Sequence, residues 1–574
     1  MNAETFCEQF ATFAEAPNGV AKLRELILQL AVQGKLVPQD VNDEPASVSQ
    51  RDDQSREGEA PAEPQRAKRR QSSIAARQEP RPPDPDTTVG DFAEIQNGYA
   101  FKSEWFVPQG IRLVRNVNVG HDELRWDETA RVTPDIAQQF DRFNLNEGDI
   151  VISLDRPLIT TGLKVARISR DDLPCLLLQR VGRVVFKYED VLPEYFFLWL
   201  HSPAFTATID PGRSNGVPHI SAREIEAIPF SLPPLAEQRR IVGKVDQLLG
   251  LCDELALRQA ARREARSALV GATLDRLVSA RSAAEFPAHA HRLRDHFDRL
   301  FDTPTTLPQL RQAILQLAVQ GQLVPQDPND EPVETLLITA ERKKAKWEGP
   351  IDEQEVPFQL PPSWKWFRLG DISMLKHGYA FSSQFFTSEP APFVLTTPGN
   401  FYEKGGFRDR ESKRKYYSGP VDPEFILKPG DLIIPMTEQA AGLLGSPAFI
   451  PDDGRVYVHN QRLGKLSFSE LIAPEFAFWF FNSEFFRGEL ARTCTGMKVR
   501  HTSPDRVLRV PFPVPPLSEQ KRIVSKVTEL LSLCDALEAK LTQAESASTQ
   551  LLSAAVHHLL SDSTANGKAA SCPM

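Results

Sequence analysis

Apolar positions after residue 233 recur at Ile241, Val245, Leu248, Cys252 and Leu255, in steps of four, three, four and three. That is the a/d rhythm of a coiled-coil seam, which a helix keeps on one face. Pro233 and Pro234 suit a first helical turn, and Glu237 favours the positive end of the helix. Continued to about Ser279, the helix has roughly 45 residues and is ~67 Å long at 1.5 Å per residue. Arg262 and Arg266 mark a place where the pattern allows a break. The same rhythm returns at Ile523, Val527, Leu530, Cys534 and Leu537. A shorter amphipathic pattern, Leu23, Ile27, Leu30 and Ala31, predicts a helix capped by Gly34 ahead of Pro38. Between the helices lie short β-type runs: IRLVRNV, GDIVISL and CLLLQRVGRVVF, then FVLTT, GDLIIPM and RVYVHNQRLGKLSF. An aromatic helical stretch, EYFFLWLH or EFAFWFFN, completes each set. The expectation is two α/β or α+β domains, residues 88–232 and 364–514, carried on long helices.

These patterns repeat as whole sentences of sequence. LILQLAVQGKLVPQD at residues 26–40 returns as AILQLAVQGQLVPQD at 313–327, thirteen of fifteen positions identical at a separation of 287. GDFAEIQNGYAFKSEWF answers GDISMLKHGYAFSSQFF, FNLNEGDIVI answers FILKPGDLII, and PEYFFLWLHS answers PEFAFWFFNS. IPFSLPPLAEQRRIVGKVDQLLGLCDEL answers VPFPVPPLSEQKRIVSKVTELLSLCDAL. The chain is a tandem duplication. Its landmarks are copied while the stretches between them, such as those after Phe106 and Phe386, share no obvious relation. That division suits two domains doing one kind of job on different targets. The short helix follows the long one at the centre, whereas the second long helix closes the chain. The first short helix, in residues 1–45, is therefore expected to complete the C-terminal helical region in a pseudo-twofold body.

Composition narrows the class without naming it. Hydrophobic residues are 41% and charged residues 25%, ordinary for a globular protein, and the net charge of −9 argues against a simple polyanion-coating protein. Local charge still permits nucleic-acid binding: by sequence the first domain is net acidic and the second net basic. No apolar stretch reaches the ~20 residues of a membrane span. The first residues lack the basic-then-apolar order of a secretory signal. Six cysteines, Cys7, Cys175, Cys252, Cys494, Cys534 and Cys572, show no CxxC spacing and read as reduced thiols of a cytoplasmic protein. Residues 46–87 have almost no large apolar side chains and read as a disordered linker; so does the tail, residues 563–574. Residues 333–363 form a second linker with some helical pattern.

Catalytic signatures are absent. There is no GxxxxGK[ST], no GxGxxG after a strand, no HExxH and no Asn/Asp-Pro-Pro-aromatic tetrapeptide. His289, His291 and His296 read as a solvated helix connection and not a metal site, and Cys252 and Cys534 as small seam residues. The chain reads as a reader, with no catalytic residues and no metal site expected.

The order of a variable domain, the PPLAEQRRIVGKVDQLL helix, the LRQAILQLAVQGQLVPQ helix, a second domain starting LPPSWKWFRLGDI with its GYAFSS, and the PPLSEQKRIVSKVTELL helix resembles the specificity subunits of type I restriction–modification systems. The resemblance covers nearly the whole chain. It departs at one place: the first domain lacks the lead-in carried by Trp364 and Trp366. What the resemblance implies is a non-catalytic DNA-specificity subunit. Residues 88–232 and 364–514 become target-recognition domains, each reading half of a bipartite, asymmetric double-stranded site. Long antiparallel coiled-coil helices, in residues 233–332 and 515–562, hold the two apart. The implied partners are two methyltransferase subunits and two restriction/motor subunits. S-adenosylmethionine, ATP and Mg are expected on those partners and none on this chain. Two other readings fit the residues: a specificity subunit of a methylation-only complex, and a coiled-coil scaffold that reads no DNA.

Candidate DNA contacts follow from side-chain type and loop position. In the second domain they are Lys404, Arg408, Arg410, Lys413, Arg414 and Lys415, beside Tyr416 and Tyr417. In the segments before each long helix they are Arg213, Asn215 and His219, and Lys498, Arg500 and His501. Arg115, Asn116 and Asn118 suit guanine and adenine edges. Lys102 and Ser382, just after GYAF, are candidates for phosphate contact, while Tyr99 and Tyr379 are expected to pack.

Overall fold

The computed structural model describes residues 14–40, 42–43, 87–159, 162–209, 219–280, 285–331, 333, 351, 355–356, 358–438, 440–494 and 500–562. Of the stretches expected to be disordered, 46–87 and 563–574, all but Thr87 lie outside them; Thr87 is described, its hydroxyl donating to Phe230 O at 2.8 Å. The helices that matter below are α1 (Gly19–Val32), α2 (Pro193–His201), α3 (Leu235–Val278), α4 (Glu285–Asp295), α5 (Leu307–Val319), α6 (Pro474–Asn482), α7 (Glu484–Thr493) and α8 (Leu517–Asp562). The strands are β1 (Ala93–Asn97), β2 (Ile111–Val114), β3 (His121–Asp122), β4 (Ala130–Val132), β5 (Ile150–Ser153), β6 (Val165–Arg167), β7 (Cys175–Leu177) and β8 (Val181–Phe186). In the second half come β9 (Ser373–His377), β10 (Phe393–Thr396), β11 (Leu432–Pro435), β12 (Val456–His459) and β13 (Leu463–Phe468). The chain is α/β, and none of its described helices is long and apolar enough to cross a membrane.

Two compact units divide the chain: residues 1–262 with 544–574, and residues 263–543. In the first, a five-stranded sheet runs β1-β8-β5-β6-β3, and a smaller one runs β4-β2-β7. The pairs are antiparallel except β3 with β6 and β2 with β7. In the second, β9-β13-β11 and Ala448–Phe449 form one sheet. Another places β10 parallel to β12, with Thr396 opposite His459. Each main sheet packs on its aromatic helix. Phe196 of α2 meets Phe92, Trp199 and Phe230, and Phe480 of α6 meets Phe486 and Phe512.

α3 has 44 residues and α8 has 46. The break anticipated near Arg262 and Arg266 does not occur. Arginine is a good helix former, and both side chains find partners: Arg262 pairs with Glu15 at 2.7 Å, and Arg266 with Asp302 at 2.6 Å. Seam residues Ile241, Val245, Ile523 and Val527 are fully buried. Leu248, Leu255, Leu530 and Leu537 are half-buried beside nearly buried Cys252 and Cys534. Shorter elements fill the seam. Ile241 and Val245 belong to the core built on α2, and Cys252 packs against Ala14 and Leu23.

The short helices explain why one motif is spelled twice. α1 places Leu26 and Leu30 against Leu552, Ala555 and Val556 near the end of α8. Its other face meets the beginning of α3, a contact not anticipated from the sequence. α5 does likewise, joining Val270 and Leu274 of α3 to Ile523, Val527 and Cys534 of α8 in one core. Gly34 (φ 66°) and Gly321 (φ 71°) end these helices in the left-handed conformation. The next amides, of Lys35 and Gln322, donate back to Leu30 and Leu317 at 2.9 Å, and the following chain turns onto the long helix. There Asp43 takes both Nη atoms of Arg240, and Asp330 those of Arg522.

The PPL-x-EQ motif is a joint. Gln520, fully buried, accepts from the amide of Ala473 at 2.8 Å and donates to the carbonyls of Leu471 (2.7 Å) and Pro515 (2.9 Å). Gln238 repeats this with Leu192, Asp190 and Pro233. Glu519 accepts from Trp364 Nε1 at 2.9 Å and Gln326 at 2.6 Å, while burial pushes its carboxyl pKa up.

Candidate nucleic-acid interface

Parallel pairing of β2 with β7 brings several turns to one end of the first domain. Leu178 N donates to Val114 O, and Leu154 N to Arg180 O at 2.9 Å. Asp155 bridges His219, and Tyr99 bridges Leu178. The second domain rebuilds this frame. Met436 N donates to Arg462 O at 2.8 Å, Thr437 bridges His501, and Tyr379 bridges Asn460. Glycine is needed where the GYAF loop crosses. A Cβ on Gly98 would lie 2.2 Å from Leu178 O, and one on Gly378 would lie 2.2 Å from Asn460 O.

On these frames the exposed side chains are Arg156, Gln179, Arg180 and His219 in the first domain, and Gln461, Arg462, Arg500 and His501 in the second. Arg180 and Asn116 converge on Asp155, at 3.0 and 3.5 Å. His501 Nδ1 lies 3.2 Å from Thr437 Oγ1, and Arg500 lies 3.5 Å from Glu438. Gln179, Arg180, Gln461 and Arg462 were missed as candidates. Their signal is the QR shared by the β-type runs CLLLQRVGRVVF and RVYVHNQRLGKLSF. Arg213, Asn215 and Lys498 lie outside the described residues.

Several candidates fall elsewhere. Asn118 is a correction: only 1% exposed, it accepts from Arg115 N and donates to the carbonyls of Arg125 (2.8 Å) and Glu128 (3.0 Å). With its amide spent inside a turn it has nothing to offer a base. Asn400 does the same job, accepting from Thr397 N and donating to Arg408 O, so the supposedly unrelated stretches share this turn. Arg115 is half-buried, its guanidinium on Glu128 O at 2.6 Å. Asn116 O accepts from Lys164, whose burial lowers its ammonium pKa. Lys102 is exposed, 3.6 Å from Glu104 and over the ring of Trp105; Ser382 is exposed.

The basic loop of the second domain divides in two. Arg414 is the other correction: it forks onto Asp409 at 2.7 and 2.9 Å and reaches Tyr416 Oη at 3.1 Å. Those bonds hold the Asp409 carboxyl far below its usual range, and Tyr417 is core. Arg408 stacks over Tyr402 and pairs with Glu403 at 3.3 Å. Arg410 is half-buried against Gly399. Lys404, Lys413 and Lys415 are exposed, with no ion pair among the described residues. They are the cations free to meet a phosphate backbone. Beneath the GYAF crossing, His459 is 1% exposed and bonds Leu463 O at 3.0 Å; burial pushes its pKa down to about 4, so the ring is neutral.

Two loop platforms of one design with different side chains, each fastened to a long helix, define a double-headed binding protein. Residues 86–260 and 361–545 match the family described as type I restriction modification DNA specificity domain, and the chain belongs to that family of specificity subunits, which are non-catalytic. It is similar to the type I restriction enzyme EcoAI specificity subunit of Escherichia coli, 43% identical over 262 residues, a match spanning 43% of each chain. It is also similar to the EcoEI specificity subunit of E. coli, 27% identical over 581 residues and 93% of each chain. Among solved structures, a chain from a study of complex assembly and conformational transition of the type I R-M system matches at TM-score 0.48 and 17% identity. That match covers 83% of this chain and 96% of the other.

Proposed function

We propose that this chain reads a bipartite, asymmetric double-stranded DNA site in the cytoplasm, one half-site per domain, and scaffolds the methyltransferase and restriction/motor subunits of a type I complex. The observation that carries this reading is the duplicated frame with unlike side chains. Arg180 and Arg462 stand at equivalent turns, whereas Asp155 and Arg156 face Thr437 and Glu438 across the repeat. Two readers of one geometry and different chemistry suit a non-palindromic target. Arginine and glutamine are the side chains that recognise guanine and adenine edges. S-adenosylmethionine, ATP and Mg belong to the partners in this reading. Exposed leucines support partner docking: Leu251 (44% exposed) and Leu533 (60%) are repeat equivalents on the long helices, as are Leu269 (58%) and Leu551 (50%). A scaffold without DNA reading would leave the exposed QR turns without a role. Methylome sequencing of a host expressing this chain with its methyltransferase tests the reading. The expected result is one methylated motif with two unlike half-sites at fixed spacing; a palindromic motif, or none, overturns it.

A further inference from the structure

His121 and Asp122 of β3 and His201 at the end of α2 converge, with one ligand atom from each lying within 4.8 Å of the others. His201 Nδ1 lies 2.8 Å from Phe197 O, and His121 Nδ1 lies 3.0 Å from Leu163 O. A carbonyl only accepts, so each Nδ1 carries a proton, and the Nε2 of each ring is the atom left to meet a third group. Both Nε2 atoms face the Asp122 carboxylate, at 2.5 Å for His201 and 3.6 Å for His121. Imidazoles oriented by a carbonyl on the far nitrogen, with a carboxylate completing the set, are the ordinary surroundings of a bound transition metal. The backbone is bent to make the cluster. Asp122 sits at φ 67°, and Gly162 approaches so closely that a Cβ there would lie 2.7 Å from the His121 ring.

The duplication supplies an internal comparison. His201 corresponds to Asn482, whose Nδ2 likewise donates to the carbonyl one turn back, Phe478 O. His121 corresponds to Glu403, following the equivalence of Asn118 with Asn400. Between those two positions the second domain inserts a cation of its own. Arg487 reaches Asn482 Oδ1 (3.1 Å), Glu403 O (3.2 Å), Gly442 O (2.8 Å) and Leu444 O (2.9 Å), and so ties the loop to the helix end. Its counterpart in the first domain is Thr206, too short and uncharged to do so.

We infer that His121, Asp122 and His201 bind a divalent transition metal of the zinc class, which joins β3 to α2 in the first domain as Arg487 joins the equivalent elements in the second. The ligand set of two imidazoles and one carboxylate leaves room for water in a tetrahedral site.

The test is Zn2+ uptake by the full chain after chelation, measured by calorimetry, with Co2+ absorption as a second readout. His291→Ala is built into every sample, because His291 and Asp295 form another exposed pair at 3.2 Å. One equivalent of metal is expected per chain, absent in His201→Asn, the residue the second domain carries there. Asp122→Asn, which keeps a residue tolerant of positive φ, is expected to lose it too. Uptake unchanged by both substitutions overturns the site. Zinc-edge absorption of the loaded chain needs no further substitution: two imidazoles in the coordination shell are expected, and none overturns the assignment.

Discussion

Gln520→Ala is expected to loosen the second domain from its helix. The side chain serves three main-chain groups at 2.7 to 2.9 Å, the Ala473 amide and the Leu471 and Pro515 carbonyls, with no exposure of its own. Truncation leaves all three unpaired in a buried place. Each such group costs roughly 1–3 kcal/mol, so even with one rescued by water the loss is about 3 kcal/mol. At about 1.4 kcal/mol per decade this is a roughly hundredfold rise in local opening. A melting temperature is the wrong assay for a chain of two units, whose transitions need not coincide. Hydrogen exchange resolved to peptides reads the joint directly. Amides of residues 471–480 and 516–524 are expected to exchange faster, while β10 and β12 keep their protection. Lys521→Ala, next in sequence and exposed, is the control. Exchange at residues 471–480 within threefold of the parent chain would refute the claim that this glutamine carries the joint.

Arg180→Ala and Arg462→Ala are each expected to weaken DNA binding by the assembled complex by about 1–3 kcal/mol, roughly 5- to 150-fold, with unchanged thermal stability because both side chains are exposed; fluorescence anisotropy against substituted half-sites checks this. His459 is held neutral with a pKa near 4 against an ordinary 6.5, so between those values the unfolded chain binds the extra proton. Stability of the second unit is complete above pH 6.5 and falls towards pH 4, by up to ~1.4 kcal/mol per pH unit; urea titrations at pH 7 and pH 5 measure it, and His459→Gln flattens the slope. Gly378→Ala drives a Cβ to 2.2 Å from Asn460 O and is expected to cost about 1–3 kcal/mol and disturb the GYAF crossing, whereas Gly488→Ala on α7, with nothing within 4 Å, is neutral or stabilising; paired denaturation curves separate them.

The long helices were legible because their apolar positions recur every three and four residues; Ile241, Val245, Cys252 and their repeats are buried, and Leu248, Leu255 and their repeats half-buried. Strand runs such as CLLLQRVGRVVF were legible as apolar runs; the turn at residues 179–180 that splits this one into two strands was not. The Asn118 turn was not. VRNVN and TTPGN share one asparagine, and its burial depends on carbonyls seven to ten residues on. Arg414 looked like its basic neighbours because charge counts do not show that Asp409 lies within its reach. The His121–His201 pairing spans eighty residues and exists only because β3 joins the edge of the sheet over α2. Sequence periodicity reports which face of an element is buried; it is silent on which loops the sheet order brings together.

Gln238 and Gln520 hydrogen-bond main-chain atoms of the domains they hold. Through these two glutamines the mount inspects the path of the visiting chain and not its exposed side chains. A reading head can drift in every exposed side chain, or be exchanged for another of the same backbone course, without renegotiating its attachment. Specificity in such a molecule is free to change quickly because the part that must not change never sees it.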